Sequence, residues 1–227
     1  INDSPKQKWK QLANRRCGEI TAKGLLPQAL PSYLTTYPAI VDRLKGTGAF
    51  ARSPHQQPNH VILNEYKPGQ GIMPHQDGPK YFPVVATISL GSHTVFNYYQ
   101  HKLDHVDSGA NEGKVLDQVP VLSVLLEPRS LIISSGEMYT FYLHGIDPLE
   151  EDRVTPPNPA ITLPLAKSRD LSTAHQYLTP INNWEVLGDE NLKQSLANGG
   201  VLKRGTRYSL TCRDVERISS ARSFRFI

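Results

Sequence analysis

Eight histidines stand at 55, 60, 75, 93, 101, 105, 144 and 175, and only a few lie near an acid at a useful spacing. His75-Gln76-Asp77 is one such place, just after an expected strand and followed by Gly78-Pro79. Residues two apart in an extended chain point to the same side, with Cα atoms about 6.6 Å apart. Their imidazole and carboxylate can therefore converge on one metal ion. A third ligand must come from elsewhere, and His144, which follows the run 139–143 and precedes Gly145-Ile146, is the candidate. Two histidines and one carboxylate on one face leave coordination positions open, which suits Fe(II) that must also bind a cosubstrate and dioxygen. The spacing by itself is weakly specific, because His-x-Asp with a distant His also occurs as a hydrogen-bonded surface pair. A rival cluster, His101-Lys102-Leu103-Asp104-His105, sits in a polar segment beside a lysine and reads as solvated loop.

Two further groups of residues bear on the same site. Asn64 and Tyr66 share one face of an expected strand by alternation and can donate hydrogen bonds to a small dicarboxylate beside the metal. In the segment from Arg207 to Arg213, alternation puts Arg207, Ser209, Thr211 and Arg213 on one face and Tyr208, Leu210 and Cys212 on an apolar one. A polar face with an arginine at each end fits a buried anion site, since a guanidinium fork matches a carboxylate bidentately. The two arginines are six residues apart, about 20 Å on a straight strand, so both cannot grip one end of a small ligand. Arg207 and Ser209 are expected at the distal carboxylate, with Arg213 nearer the metal or the substrate entrance. Tyr139 and Phe141 share a face of the run and are candidates to line the pocket. Trp9 and Trp184 read as packing anchors in preference to base-stacking platforms, and Cys212 reads as a core residue.

These side chains need a scaffold to hold them. A helix is expected within 26–44, starting after Pro31-Ser32, with Tyr33, Leu34, Tyr37, Ile40, Val41 and Leu44 on one face and Pro38 kinking or splitting it. Strands are expected at 60–67, 82–90, 94–100, 121–127, 131–135, 138–144 and 206–213, each rich in Val, Ile, Tyr, Phe or Thr and bounded by turn residues. Residues 1–25 are polar and show no obvious first element, and 146–205 shows no strand character. That long stretch carries a helix over 189–198, with Asp189 as N-cap and Gly199 past its end, and reads as an insertion or lid. Many short strands with few helices between them indicate an antiparallel sandwich or jelly roll, not a βαβ fold.

The chain has 227 residues, a length that all-β barrels often use as one domain, and a single domain over 1–227 is expected. Two cysteines, Cys17 and Cys212, cannot build a disulfide framework and point to a reducing compartment. No apolar run approaches the roughly 18 residues of a membrane helix, and the polar N-terminus resembles no signal peptide. Secreted, membrane-spanning, collagenous and coiled-coil classes are thereby set aside. The net charge of +4 conceals a pattern: residues 1–25 carry +4, residues 203–227 carry +5, and the middle carries −5. Basic ends on a slightly acidic body allow a polyanion partner, because phosphates attract clustered Lys and Arg; simple solvation of the ends is the alternative.

Taken in order, Asn64-x-Tyr66-x-x-Gly69, His75-x-Asp77, Leu143-His144-Gly145-Ile146 and Arg207 with Arg213 resemble the AlkB family of Fe(II)/2-oxoglutarate dioxygenases, over roughly residues 60–213. The stretches 64–78, 87–93 and 125–131 look most similar to the sixth AlkB homologue group of eukaryotes. The resemblance implies a mainly β (α+β) fold, with a double-stranded β-helix core of jelly-roll, cupin-like type and flanking helices. It implies Fe(II) on His75, Asp77 and His144, and 2-oxoglutarate on Asn64, Tyr66, Arg207, Ser209 and Arg213. The family reaction consumes 2-oxoglutarate and dioxygen, releases succinate and carbon dioxide, and hydroxylates an N-methyl group that then leaves as formaldehyde. By this likeness the expected activity is oxidative demethylation of alkylated nucleobases in single-stranded or flipped-out DNA or RNA, by a monomer of the cytoplasm and nucleus with no membrane association.

Three departures touch substrate choice. Pro79 stands where the repair demethylases carry an acidic residue that contacts the methylated base, the N-terminal region is short, and 146–205 is longer than the core needs. An oxygenase acting on a protein, or a non-catalytic nucleic-acid-binding jelly roll, are therefore the alternative readings.

Overall fold

The computed structural model describes residues 9–19, 30–102, 115–157, 178–197 and 199–216. Strand alternation organises everything around the site. The strand from Arg207 to Val215, β13 in chain order, runs antiparallel to β3 (His60–Tyr66) on one side and β5 (Tyr81–Leu90) on the other. Leu210 and Cys212, at 0% and 1% exposure, turn outward into an apolar core with Leu63 and Ala86. Two short helices, α1 (Ser32–Thr35) and α2 (Ile40–Gly46), cover that face with Leu34, Val41 and Leu44. Full burial of one such leucine is worth about 1.5–3 kcal/mol. The alternate residues Arg207, Ser209, Thr211 and Arg213 turn inward and line a cavity.

The large sheet continues through β2 (Arg15–Glu19) and β1 (Trp9–Leu12) at one end and β8 (Leu131–Ser135) at the other, in the order β1-β2-β3-β13-β5-β8. A second antiparallel sheet faces it: β4 (Ile72–His75), β9 (Leu143–Ile146), β6 (Thr94–Tyr99) and β7 (Leu122–Leu126). Tyr66, Phe96, Tyr98, Val124, Leu126 and Ile146 fill the space between the sheets beside the cavity. Val95 and Leu125, on the opposite face of β6 and β7, pack against Val154, Ile181, Leu187 and Leu196 in a third layer. Two facing antiparallel sheets with flanking helices make the expected jelly-roll core. No helix among the described residues is long and apolar enough to cross a membrane.

The helix expected within 26–44 is split at Pro38 into two, as that proline implied, and residues 26–29 lie outside the described ones. Three expectations need correction. The run 138–144 is not one strand: α3 (Glu137–Thr140) follows Gly136, whose φ is +56°, and β9 begins only at Leu143. The N-terminal region forms the β1–β2 hairpin, which extends the large sheet through pairing with β3. Finally, 146–205 does carry strands. There β10 (Glu151–Thr155) pairs with β11 (Thr179–Pro180) and β12 (Gly200–Lys203), while residues 158–177 lie outside the described ones. The helix in that stretch, α4 (Glu190–Leu196), is capped by Asp189, whose Oδ1 accepts from the Leu192 N–H at 3.0 Å, and Gly199 follows at φ +84°.

Candidate active site

A cavity of about 260 Å³ opens between the two large sheets. The β4–β9 register sets His75 directly against His144, with ring centroids 4.4 Å apart. Asp77, two residues beyond the end of β4, joins them, and one ligand atom from each of the three residues lies within 4.8 Å of the others. Strand pairing thus achieves what the sequence spacing only permits.

Neighbours orient each of the three groups. The Met73 carbonyl lies 2.8 Å from His75 Nδ1, and a carbonyl can only accept. Nδ1 therefore carries a hydrogen, and of the two ring nitrogens Nε2 is the one left to offer a metal. His144 stacks on Phe96 at 5.3 Å, and burial, reinforced by the neighbouring His75, lowers its pKa to about 4. At neutral pH it is an uncharged imidazole. Asp77 Oδ1 accepts from Arg213 Nη2 in a very short contact, whereas Asp77 Oδ2 is buried without a partner. A buried orphan carboxylate oxygen beside two imidazoles is what a divalent transition metal requires.

The other end of the cavity is built for an anion. Arg207 is 3% exposed; its Nη2 donates to Ser89 Oγ at 2.9 Å, its guanidinium lies 5.5 Å over the Tyr66 ring, and its Nε has no partner. Burial lowers its pKa to about 10, so it remains cationic at neutral pH. Among the described residues no carboxylate lies within ion-pair distance of it. Asn64 Nδ2 reaches Ser209 Oγ at 3.5 Å, and both side chains face the same space. Burial raises the Tyr66 hydroxyl pKa, against the opposing pull of Arg207. Arg213 lies at the metal-ligand end, with Tyr81 under its guanidinium at 4.8 Å. The two arginines therefore face different ends of one cavity.

All eight sequence-derived site residues line this cavity: Asn64, Tyr66, His75, Asp77, His144, Arg207, Ser209 and Arg213. Tyr139 and Phe141 do not. Tyr139 sits in α3 and its hydroxyl donates to the Gly78 carbonyl at 3.1 Å, and Phe141 is 50% exposed. Trp9 packs against the outer core with Arg16 4.2 Å over its ring, and Trp184 packs against the third layer. In the rival cluster His101 forms an isolated bridge with Leu116, and residues 103–105 lie outside the described ones. Pro79 is exposed in the turn after Asp77.

The lining also includes residues that carried no role in the sequence reading, among them Arg15, Gln76 and Tyr81. Gln76 could have been suspected from its place between two ligands. Its Nε2 donates to the carbonyls of Thr140 and Phe141 at 3.1 and 2.8 Å, tying the His75–Asp77 segment to the approach to His144. Arg15 gave no signal, because its segment has no apolar alternation.

A family model described as the 2OG-Fe(II) oxygenase superfamily matches residues 6–213. The chain is 41% identical over 153 residues to the "Probable RNA/DNA demethylase ALKBH6" of Danio rerio, covering 66% of this chain and 62% of that protein. It is 30% identical over 96 residues to the "Alpha-ketoglutarate-dependent dioxygenase AlkB" of Salmonella typhimurium, covering 41% of this chain and 38% of that one. A solved structure, "The structure of OsALKBH1", aligns with 91% of this chain and 83% of its own at 13% identity and a TM-score of 0.43. The chain spans about three-fifths of the length of the zebrafish relative.

Proposed function

Because the chain belongs to the 2OG-Fe(II) oxygenase superfamily, we propose that it is an Fe(II)- and 2-oxoglutarate-dependent dioxygenase that demethylates alkylated nucleobases in DNA or RNA. The observation that carries this reading is a pair of unmet groups in one cavity. Asp77 Oδ2 is buried without a partner although Arg213 engages Oδ1, and among the described residues Arg207 is a buried cation with no carboxylate in ion-pair distance. A buried polar atom or charge left without a partner is costly, so a protein that keeps both facing one cavity is prepared for ligands that answer them. A divalent iron answers the first and a dicarboxylate answers the second.

In this reading His75 Nε2, Asp77 Oδ2 and His144 hold the iron. Arg207, Ser209, Asn64 and Tyr66 hold the 2-oxoglutarate, with Arg213 toward its metal end. Bound iron, with 2-oxoglutarate and dioxygen, supplies the oxidation of a substrate C–H bond coupled to release of succinate and carbon dioxide. The chain's own residues orient and hold. Arg213 engages the Asp77 carboxylate, and the Met73 carbonyl orients the His75 ring. Phe96 and Ile146 close the inner wall of the cavity with apolar surface.

The nucleobase substrate is supported by the likeness to relatives that include the "Probable RNA/DNA demethylase ALKBH6". A base inside a duplex must be flipped out, at a cost of a few kcal/mol, so single strands are the favoured form. The nucleus and cytoplasm, where such nucleic acids are met, are the compartments this reading proposes. Pro79, where an acidic base contact would stand, favours a second reading in which the methylated group belongs to a protein side chain. Succinate formation measured with methylated single-stranded DNA, methylated RNA and methylated peptides separates the two. Oligonucleotide-stimulated turnover that disappears in His75→Ala supports the first reading, and stimulation by peptides alone supports the second.

A further inference from the structure

Arg15 enters the cavity from the N-terminal hairpin, a segment with no evident structure in the sequence. Its position follows from register. In β2 and β3 Arg16 pairs with Glu65 and Cys17 with Asn64, so Arg15 falls alongside Tyr66. On the other side of β3 the partner of Tyr66 is Arg207. Arg15, Tyr66 and Arg207 therefore form one row across three adjacent strands, and all three side chains line the cavity. Strands are about 4.8 Å apart, which puts the two arginine Cα atoms about 10 Å apart, close enough for two long side chains to meet over Tyr66. Both guanidiniums act on the Tyr66 hydroxyl, lowering its pKa against the larger effect of burial.

Arg15 also decides the orientation of a neighbour. Its Nε donates to Asn64 Oδ1 at 3.3 Å. A guanidinium offers only donors, so it holds the oxygen of the amide toward itself. The Asn64 NH2 group is thereby turned toward Ser209 and the cavity interior. Among the described residues Arg15, like Arg207, has no carboxylate within ion-pair distance. The charged lining then consists of Arg15, Arg207, Arg213 and the single carboxylate Asp77, which Arg213 already engages.

We infer that Arg15 belongs to the cosubstrate site, as a second guanidinium flanking Tyr66 for the distal carboxylate and as the residue that orients the Asn64 amide. The inference rests on the reading of this cavity as a 2-oxoglutarate site. It makes the N-terminal hairpin part of the binding machinery as well as an edge of the sheet.

Calorimetric titration of 2-oxoglutarate into protein loaded with Mn(II) in place of iron tests it, with Arg15→Leu and Arg15→Lys beside the parent. Removing a charge-assisted hydrogen bond is worth about a tenfold loss of affinity or more. Arg15→Leu is expected to weaken 2-oxoglutarate binding by about that factor, with Mn(II) affinity and unfolding midpoint unchanged, and Arg15→Lys to recover part of the loss by restoring the charge. Parent-like affinity in Arg15→Leu overturns the inference. So does a parallel loss of metal affinity and stability that Arg15→Lys does not reverse, which marks a structural role only. A parent protein that binds no 2-oxoglutarate instead overturns the assignment of the cavity itself.

Discussion

Arg207 holds its charge at 3% exposure, and among the described residues the Ser89 hydroxyl is its one hydrogen-bond acceptor. In the ligand-free protein such a cation is a burden, and only an incoming carboxylate makes it favourable. The opposite pulls on stability and binding give a prediction with two signs. Arg207→Met is expected to raise the KM for 2-oxoglutarate roughly 10–100-fold, the loss of one or two charge-assisted hydrogen bonds. It is expected to leave the urea unfolding midpoint of the ligand-free protein at or above that of the parent. A normal KM, or a large loss of stability, would show that Arg207 serves packing and not the ligand. The same reasoning explains which residues were legible in the sequence. Arg207, Ser209, Thr211 and Arg213 stood out because a polar face on a strand whose other face is Leu210 and Cys212 has no ordinary reason to be polar. Arg15 stood on a segment polar on both faces and offered no such contrast.

At the scale of elements, the β4–β9 pair brings two of the three metal-ligand candidates together, and its close approach depends on glycine. A Cβ on Gly71 would lie 2.1 Å from the Ile146 carbonyl oxygen, and the next nearest atoms are also backbone, from Asp147 and Pro148. Backbone cannot swing away as a side chain can, so Gly71→Ala must push β4 off β9 and part His75 from His144. Metal affinity, read by Mn(II) titration, is expected to fall roughly tenfold or more, as for other changes that misalign ligands; unchanged affinity would contradict this role for the strand pair. The third layer is held differently. Asp152, 2% exposed, receives Arg204 Nε and Nη2 at 2.7 and 2.6 Å, with His93 Nε2 at 3.3 Å. Burial alone would raise the Asp152 pKa, but Arg204 and His93 outweigh it and hold it below the ordinary 3.8. A depressed carboxylate contributes stability above its unfolded pKa and loses it as pH falls through the folded one. Asp152→Asn is therefore expected to cost about 3–5 kcal/mol at pH 7, by stranding Arg204. The gap should close in denaturation curves taken at pH values falling below 3.8. This pair also explains why β10 escaped the sequence: its inward positions are Asp152 and Val154, and the charge on one is answered by an arginine 52 residues away. The run 138–144 misled in the other direction, its Tyr and Phe content favouring a strand where a turn of helix after Gly136 forms.

For the whole molecule, the opening charge pattern loses weight as a sign of nucleic acid. Three of the arginines from the basic ends, Arg15, Arg207 and Arg213, line the cavity and are not on the outer surface. The jelly-roll class was legible because short strands bounded by Gly and Pro recur from residue 60 onward, while the hairpin and the third layer, where Arg15 and Asp152 stand on inward faces, were not. What the fold achieves is one cavity between two sheets, with His75, Asp77 and His144 together at one end and the buried cation Arg207 at the other. The measurement that tests this most directly is the parallel assay of succinate and formaldehyde from a methylated single-stranded oligonucleotide, with Fe(II), 2-oxoglutarate and dioxygen supplied. Equal amounts of the two products, both lost in His75→Ala, are the expected result. Succinate unaffected by His75→Ala, or no formaldehyde from any methylated oligonucleotide while a methylated peptide yields it, would contradict the account.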